Sequence, residues 1–288
     1  METATKCAFT ADKEFLRDLN ELVTPVEKIY YRGNLGLLEG PCVAVVGSRS
    51  CTAYGIKVAE HIAGRLAENR ITVISGLARG IDTVAHRAAV DAGGKTVGVL
   101  ACGTDICYPA SNGKLQKMME NNHLILSEHP DGTTPRPYFF PLRNRIISCL
   151  SDAVVVVEAG NRSGALITAE YAAEQGKILY AVPGNITSRS SHGCNMLIRD
   201  GVTPLILADD IITDLGLTPV TEDTAAEESL GTEEKIVLNI VRKNGEVSIE
   251  EIVHKTNKKA AEISGIITVL EMKGLIFFEM GKVLVAKF

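Results

Sequence analysis

The stretch Val43-Ala-Val-Val-Gly-Ser-Arg-Ser-Cys-Thr-Ala-Tyr-Gly55 decides the fold. A short apolar run ends in glycine and a helical pattern follows, which is how a nucleotide-binding strand–turn–helix unit opens. The dinucleotide fingerprint G-x-G-x-x-G is absent, because Ser48 and Arg49 stand where the second glycine belongs. An arginine there would crowd a pyrophosphate pressed against the backbone. The loop expects a different phosphate, or none.

Outward from this stretch, short β-branched runs alternate with helical patterns. Strands are read at 42–46, 71–75, 96–100, 123–127, 153–157, 177–181 and 203–206. Helices are read near 54–69, 82–92, 112–122, 143–150 and 164–175. A continuous apolar run such as Ala153-Val-Val-Val-Val157 predicts a parallel strand buried on both faces. The alternation predicts an α/β fold with an open parallel sheet and right-handed crossovers. Residues 1–40 read as a weakly patterned extension with a short helix around 15–22, and 41–216 as the Rossmann-like domain. Residues 217–231 lose all periodicity and read as an acidic linker.

The last segment, 232–288, reads as three helices and a hairpin, a small winged-helix domain. Helix 232–242 is amphipathic, Ser248-Ile-Glu-Glu251 is a capping box, and helix 260–273 closes at Gly274. Strands 275–279 and 282–286 flank a turn at Met280-Gly281.

Composition narrows the classes. With 45% hydrophobic and 23% charged residues, the 288-residue chain is ordinary for a soluble globular protein. No apolar run reaches membrane-spanning length, and the N-terminus carries early acids and no apolar core, so neither a span nor a signal peptide is expected. Seven scattered cysteines without a C-x-x-C pair speak against disulfides and zinc and for a reducing cytoplasm. The net charge of −5 is concentrated: six acids lie between Glu222 and Glu234 with no Lys or Arg among them. The remainder is close to neutral, which leaves room for a local basic groove.

The strand ends carry the unusual chemistry. They offer Gly47-Ser48-Arg49, then Ser75-Gly76-Leu77-Ala78-Arg79-Gly80-Ile81-Asp82, then Cys102 to Pro109 leading to Asn112 and Lys114. The fourth carries Arg136, Tyr138, Phe139, Phe140, Arg143, Asn144 and Arg145, and the fifth Glu158 followed by Arg162-Ser163-Gly164. Each has a plainer reading. The glycines serve turns, Asp82 caps a helix, and the aromatics pack in the core. Arg143 and Arg145 pair with Glu158 or Asp152, and His86 is structural. Recurrence favours the other reading, since cations track phosphates and rings stack on unpaired bases. The six histidines lie in no nucleophile or metal spacing, and neither G-x-S-x-G nor H-E-x-x-H occurs.

At these residues the sequence resembles the DNA-processing protein A family (DprA, also called Smf). The matching stretches are Val45-Val-Gly-Ser-Arg49, Ser75 to Asp82, Tyr108-Pro109 with Asn112, Phe140 to Ile147, and Arg162 to Thr168 with Glu170. The resemblance covers about residues 30–210, and the C-terminal unit more loosely. It implies an extended Rossmann domain that binds single-stranded DNA, forms a homodimer, protects incoming DNA and loads RecA recombinase in natural transformation. It implies no catalysis, cofactor or metal. Arg49 falls on the family's binding arginine and Phe140 on its stacking aromatic.

The single-strand contacts expected on both grounds are Gly47, Ser48, Arg49, Ser75, Gly76, Ala78, Arg79, Gly80, Lys114, Arg136, Phe140, Arg143, Asn144, Arg145, Arg162, Ser163 and Gly164. Many members begin with a helical domain, whereas about 40 residues precede the sheet here, so that domain's role is expected to be absent or reduced.

Two rivals remain. One is a phosphoribohydrolase-like enzyme of the lysine-decarboxylase-like group, whose P-G-G-x-G-T-x-x-E loop is interrupted here by Asn161-Arg-Ser. The other is a duplex-binding regulator acting through the winged helix, which Lys258 and Lys259 alone supply poorly with donors.

Overall fold

Val43 and Val45 are buried on one side of strand β3 (Cys42–Gly47), and Ala44 and Val46 on the other. Strand β7 (Ala153–Glu158) repeats the pattern, with Val155 and Val157 opposite Val154 and Val156. Two helical layers are needed to cover such strands. One layer contains α2 (Ala53–Glu68), α3 (Ile81–Asp91) and α8 (Ala208–Asp214), which contribute Ile62, Ala85 and Ile211 to the core. The other contains α5 (Phe139–Cys149), α6 (Gly164–Glu174) and α7 (His192–Arg199), through Ile146, Ala169 and Cys194.

The computed structural model describes residues 4–220, 230–256, 258–273, 275–279 and 281–285. It separates into two units, Met1–Pro219 and Val220–Phe288. Most of the acidic linker (221–229), the helix stop Gly274, Met280 of the turn and Ala286 lie outside the described residues.

The larger unit is a nine-stranded sheet in the order β1-β2-β6-β5-β4-β3-β7-β8-β9. From β6 (Leu124–Ser127) through β5 (Thr96–Val99), β4 (Thr72–Ser75), β3, β7 and β8 (Ile178–Ala181) to β9 (Thr203–Pro204), neighbouring strands are parallel. The first 40 residues correct the sequence reading. Strands β1 (Lys6–Phe9) and β2 (Lys28–Gly33) pair antiparallel, and β2 adds antiparallel to β6, so the segment widens the sheet. These strands are mostly half-buried or exposed, which leaves no period-2 signal to read. The helix expected at 15–22 is a 3₁₀ turn, Glu14–Leu16, and a single α-turn, α1 (Asp18–Glu21), which send Leu16 and Leu19 into the core.

Helix α5 starts four residues earlier than its pattern indicated, at Phe139. Pro141 conceals the start, yet its missing N–H costs nothing in a first turn, where that group has no intrahelical partner. The earlier start puts Phe140, Arg143, Asn144 and Ile147 on one face at i, i+3, i+4 and i+7.

The smaller unit packs α9 (Thr232–Asn244), α10 (Ile249–Thr256) and α11 (Ala260–Met272) on a three-stranded antiparallel sheet. Its strands, in spatial order, are β10 (Glu246–Ser248), β12 (Lys282–Val285) and β11 (Ile276–Glu279). Val237, Ile252, Ile263, Ile267 and Val283 form the core. The capping box closes both ways: Ser248 N donates to Glu251 Oε2 at 2.9 Å, and Glu251 N to Ser248 Oγ at 3.2 Å. Strand β10 escaped the sequence reading because three residues carry no period.

Candidate nucleic-acid interface

The strand order reverses between β3 and β7: the chain proceeds to β4, β5 and β6 on one side and to β8 and β9 on the other. Loops leaving the two strands diverge, and open α/β sheets take their ligands in the crevice so formed. Here it is a groove of about 660 Å³. The β3 loop lines it with Gly47, Ser48 and Arg49, and the β7 loop with Arg162, Ser163 and Gly164. Ala78, Asp82 and Tyr108 enter from the β4 and β5 loops, and Phe140, Arg143, Asn144 and Ile147 are the shared face of α5.

The start of α2 is already occupied by a carboxylate of the protein's own. Thr52 N donates to Glu158 Oε2 at 2.8 Å and Thr52 Oγ1 donates to Glu158 Oε1 at 2.9 Å. Gly55 N donates to Thr52 Oγ1 at 3.2 Å, and a Cβ at Gly55 would lie 2.3 Å from Glu158 Oε2. A dinucleotide fold presents these N–H groups to pyrophosphate. In this protein Glu158 accepts from Thr52 N and Thr52 Oγ1 accepts from Gly55 N, so these two groups are satisfied from within the protein. Glu158 forms no ion pair with Arg143 or Arg145 among the described residues.

The second loop is braced from within. Gly80 has φ +76°, and a Cβ there would lie 2.2 Å from Ser48 O, so the two loops touch only because residue 80 is glycine. Asp82 does not cap α3, whose N-cap is Gly80; its Oδ2 accepts from Gly76 N at 3.1 Å and Ala78 N at 3.3 Å. Asn112 ties the third loop to the second, donating to Leu77 O at 2.9 Å and to Thr83 Oγ1 at 2.9 Å.

Burial removes four expected side chains from those open to a ligand, among them Asn144, 8% exposed and donating to Gly164 O at 3.0 Å. Ser75 is fully buried and donates to Val45 O at 2.7 Å. Arg143 is 4% exposed and donates to Gly76 O at 2.6 Å and to Val99 O, stapling the ends of β4 and β5. Burial pushes its guanidinium down to about 10, against the pull of the nearby Asp82 carboxylate. Arg145 is buried against Glu128, with Nη2–Oε2 at 2.6 Å, and donates to Thr24 O at 3.1 Å. Asp152 instead accepts from Cys42 N at 2.8 Å. Gly76 has no room for a side chain, since a Cβ would meet the Arg143 guanidinium at 2.5 Å.

What stays open is cationic and aromatic. The Arg49 guanidinium carbon sits 4.9 Å from the centre of the Phe140 ring, and the Tyr108 ring centre lies 5.4 Å from it. Phe140 is half-buried at the groove wall and is no core residue. Tyr108, 46% exposed, is a further groove aromatic, recognisable in sequence only as part of the Tyr108-Pro109 motif. Arg49, Arg79, Lys114, Arg136 and Arg162 are exposed. None of these five forms an ion pair among the described residues, whereas Arg32, Arg65 and Arg145 all do. Arg79, Gly80, Lys114 and Arg136 stand outside the groove lining. Among the described residues no group of three His, Cys, Asp or Glu side chains is placed to hold a metal, and no helix is long and apolar enough to cross a membrane.

This geometry is matched in known proteins. Residues 6–216 fit the family model described as DNA recombination-mediator protein A, and residues 221–281 fit the DprA winged helix domain. The DNA processing protein DprA of Streptococcus pneumoniae is 45% identical over 197 residues, covering 68% of this chain and 70% of that one. A putative DNA processing protein DprA of Mycobacterium tuberculosis is 41% identical over 237 residues, covering 81% of this chain and 61% of its own. The crystal structure of the S. pneumoniae protein superimposes with a TM-score of 0.69 at 42% identity, over 74% of this chain and 75% of that one. DprA of Helicobacter pylori, solved in work on its single-stranded DNA binding mode, gives 0.67 at 28% identity over 74% of this chain and 96% of its own. An open parallel sheet with its cationic groove at the strand-order reversal, followed by a winged helix, places the chain in the DNA-processing protein A (DprA/Smf) family.

Proposed function

We propose that the groove binds single-stranded DNA without chemical turnover, and that the protein shields incoming strands and passes them to a RecA-type recombinase during DNA uptake. The observation that carries this reading is the unneutralised Arg49 guanidinium stacked on Phe140 at the mouth of an open crevice. A planar cation offers forked donors to a phosphate, and the neighbouring rings offer π-faces to unpaired bases. The H. pylori relative, whose study concerns single-strand binding, supports the same ligand class. Action as a cytoplasmic homodimer belongs to the same proposal.

Two features weigh against the rivals. A nucleotide-cleaving enzyme of related fold would present tandem glycines before α6, and here Asn161-Arg162-Ser163 interrupts that loop, with Ser163 Oγ accepting from Ala165 N at 3.3 Å. A duplex reader would direct donors from α11, yet residues 260–272 contain no Lys or Arg. Lys258, just before that helix, is engaged by Glu233 at 2.5 Å and Glu262 at 3.1 Å.

Titration of the intact chain with one labelled oligonucleotide, single-stranded and annealed, tests the reading. The single strand is expected to bind at least tenfold tighter, about 1.4 kcal/mol. Equal affinity, or release of free base from nucleoside monophosphates, would overturn it.

A further inference from the structure

Next to the groove stands a second cluster of rings that shares no ring with the first. Tyr138 is 54% exposed, and its ring meets Phe139 edge-on at 4.5 Å. Phe139 is half-buried, with the His129 ring 4.0 Å away. The Arg136 guanidinium carbon lies 5.9 Å from the Phe139 ring centre, and Arg136 Nη1 donates to Tyr138 Oη at 3.1 Å. Pro137 and Phe140 line the groove, and Tyr138 stands between them in sequence, outside the lining itself.

We propose that Tyr138, braced by Phe139 and accompanied by Arg136, is a second base-stacking platform that takes a further nucleotide of the strand held at Phe140. The proposal rests on the single-strand reading of the groove. Each cluster joins rings to one guanidinium that has no acidic partner among the described residues: Tyr108 and Phe140 with Arg49, then Tyr138 and Phe139 with Arg136. A nucleotide has the same two parts, a π-face and a phosphate, so the repeated unit matches a repeated ligand.

A lone exposed tyrosine needs no explanation. This one is held at both ends, by a ring edge and by a hydrogen bond to its hydroxyl. A ring fixed before the ligand arrives loses little freedom on binding, which is the condition for a productive platform. Arg136 spends one donor on a neutral hydroxyl, which leaves its charge unneutralised for a phosphate. A surface ion pair would have cancelled it.

The chain contains no tryptophan, so Tyr138→Trp introduces a single reporter. Its emission is expected to be quenched by saturating oligo-dT, and Phe140→Trp reports the first platform in a parallel sample. Tyr138→Ala should weaken binding of long oligo-dT by between about fivefold and 150-fold, the range for one lost stacked base, while Tyr138→Phe restores most of the affinity. The shortest oligo-dT that still quenches Phe140→Trp should lose nothing from Tyr138→Ala. The midpoint of thermal unfolding should not move, because the ring is exposed. Quenching at Phe140→Trp without quenching at Tyr138→Trp, or unchanged affinity of Tyr138→Ala at every length, would overturn the second platform and leave the groove assignment standing. Failure of the unaltered chain to bind any single strand would overturn both.

Discussion

Glu158 and Thr52 join the ends of two adjacent strands' loops: both carboxylate oxygens of Glu158 accept from Thr52, at 2.8 and 2.9 Å. The contact gives the start of α2 a carboxylate of the protein's own and ties the β3 loop to the end of β7. Glu158 is 2% exposed while Thr52 is exposed, so its removal takes away two hydrogen bonds to a carboxylate and leaves the Thr52 donors to water. Glu158→Ala is expected to lower stability by about 1–3 kcal/mol, the scale of lost hydrogen bonds to a charged group. Urea unfolding measures this, and an unchanged midpoint would mean that the helix start is held by something else.

Gly80 sets the distance between the Arg49 loop and its neighbour. With φ +76° and Ser48 O 2.2 Å from a would-be Cβ, Gly80→Ala forces the two loops apart. A stability loss of at least about 1 kcal/mol is expected from the backbone conformation alone. Single-strand affinity should fall with it, because Ile81 N donates to Ser48 O at 3.2 Å and that bond positions the residue before Arg49. A folded Gly80→Ala protein with full affinity would show that the loops need not touch.

His86 supplies a pH dependence. It is fully buried, its Nδ1 lies 2.6 Å from Thr96 Oγ1, and its Nε2 has no hydrogen-bond partner. Burial first, and then the charges of Arg143 and His123, push its pKa down to about 3. The folded value lies below the unfolded one, so the folded state binds the proton less readily. Its contribution is complete above pH 6.5 and is lost as pH falls toward 3, at about 1.4 kcal/mol per unit. Between pH 7 and pH 5 this amounts to about 2 kcal/mol. His86→Gln should be less stable at pH 7 yet lose about 2 kcal/mol less than the parent on going to pH 5. Equal losses in urea unfolding at the two pH values would contradict the assignment.

The parallel strands were legible in sequence because burial on both faces leaves unbroken apolar runs, as in Val43–Val46 and Val154–Val157. The two N-terminal strands were not, because Lys6–Phe9 is mostly exposed and carries no period. Among the candidate site residues, Arg49 and Phe140 stood out through the family resemblance, Arg49 also as a charge that turn geometry does not need. Arg143 and Arg145 looked identical to them in one dimension. Only the packing shows that one staples two strand ends through Gly76 O and Val99 O, and that the other is consumed by Glu128. The part of Glu158 was hidden because its partner Thr52 lies 106 positions away.

The central claim is that Arg49 and Phe140 serve one strand in different ways, and the salt dependence of binding separates them most directly. Arg49→Ala should weaken all single-stranded sequences alike and flatten the plot of log affinity against log salt by about 0.7, one phosphate contact. Phe140→Ala should cost about 1–3 kcal/mol of binding and leave that slope unchanged. Because Phe140 is half-buried, its stability loss should fall short of the roughly 3–5 kcal/mol of a truncated core phenylalanine. An Arg49→Ala protein with unaltered affinity and slope, or a Phe140→Ala protein that unfolds like a core mutant, would contradict the account.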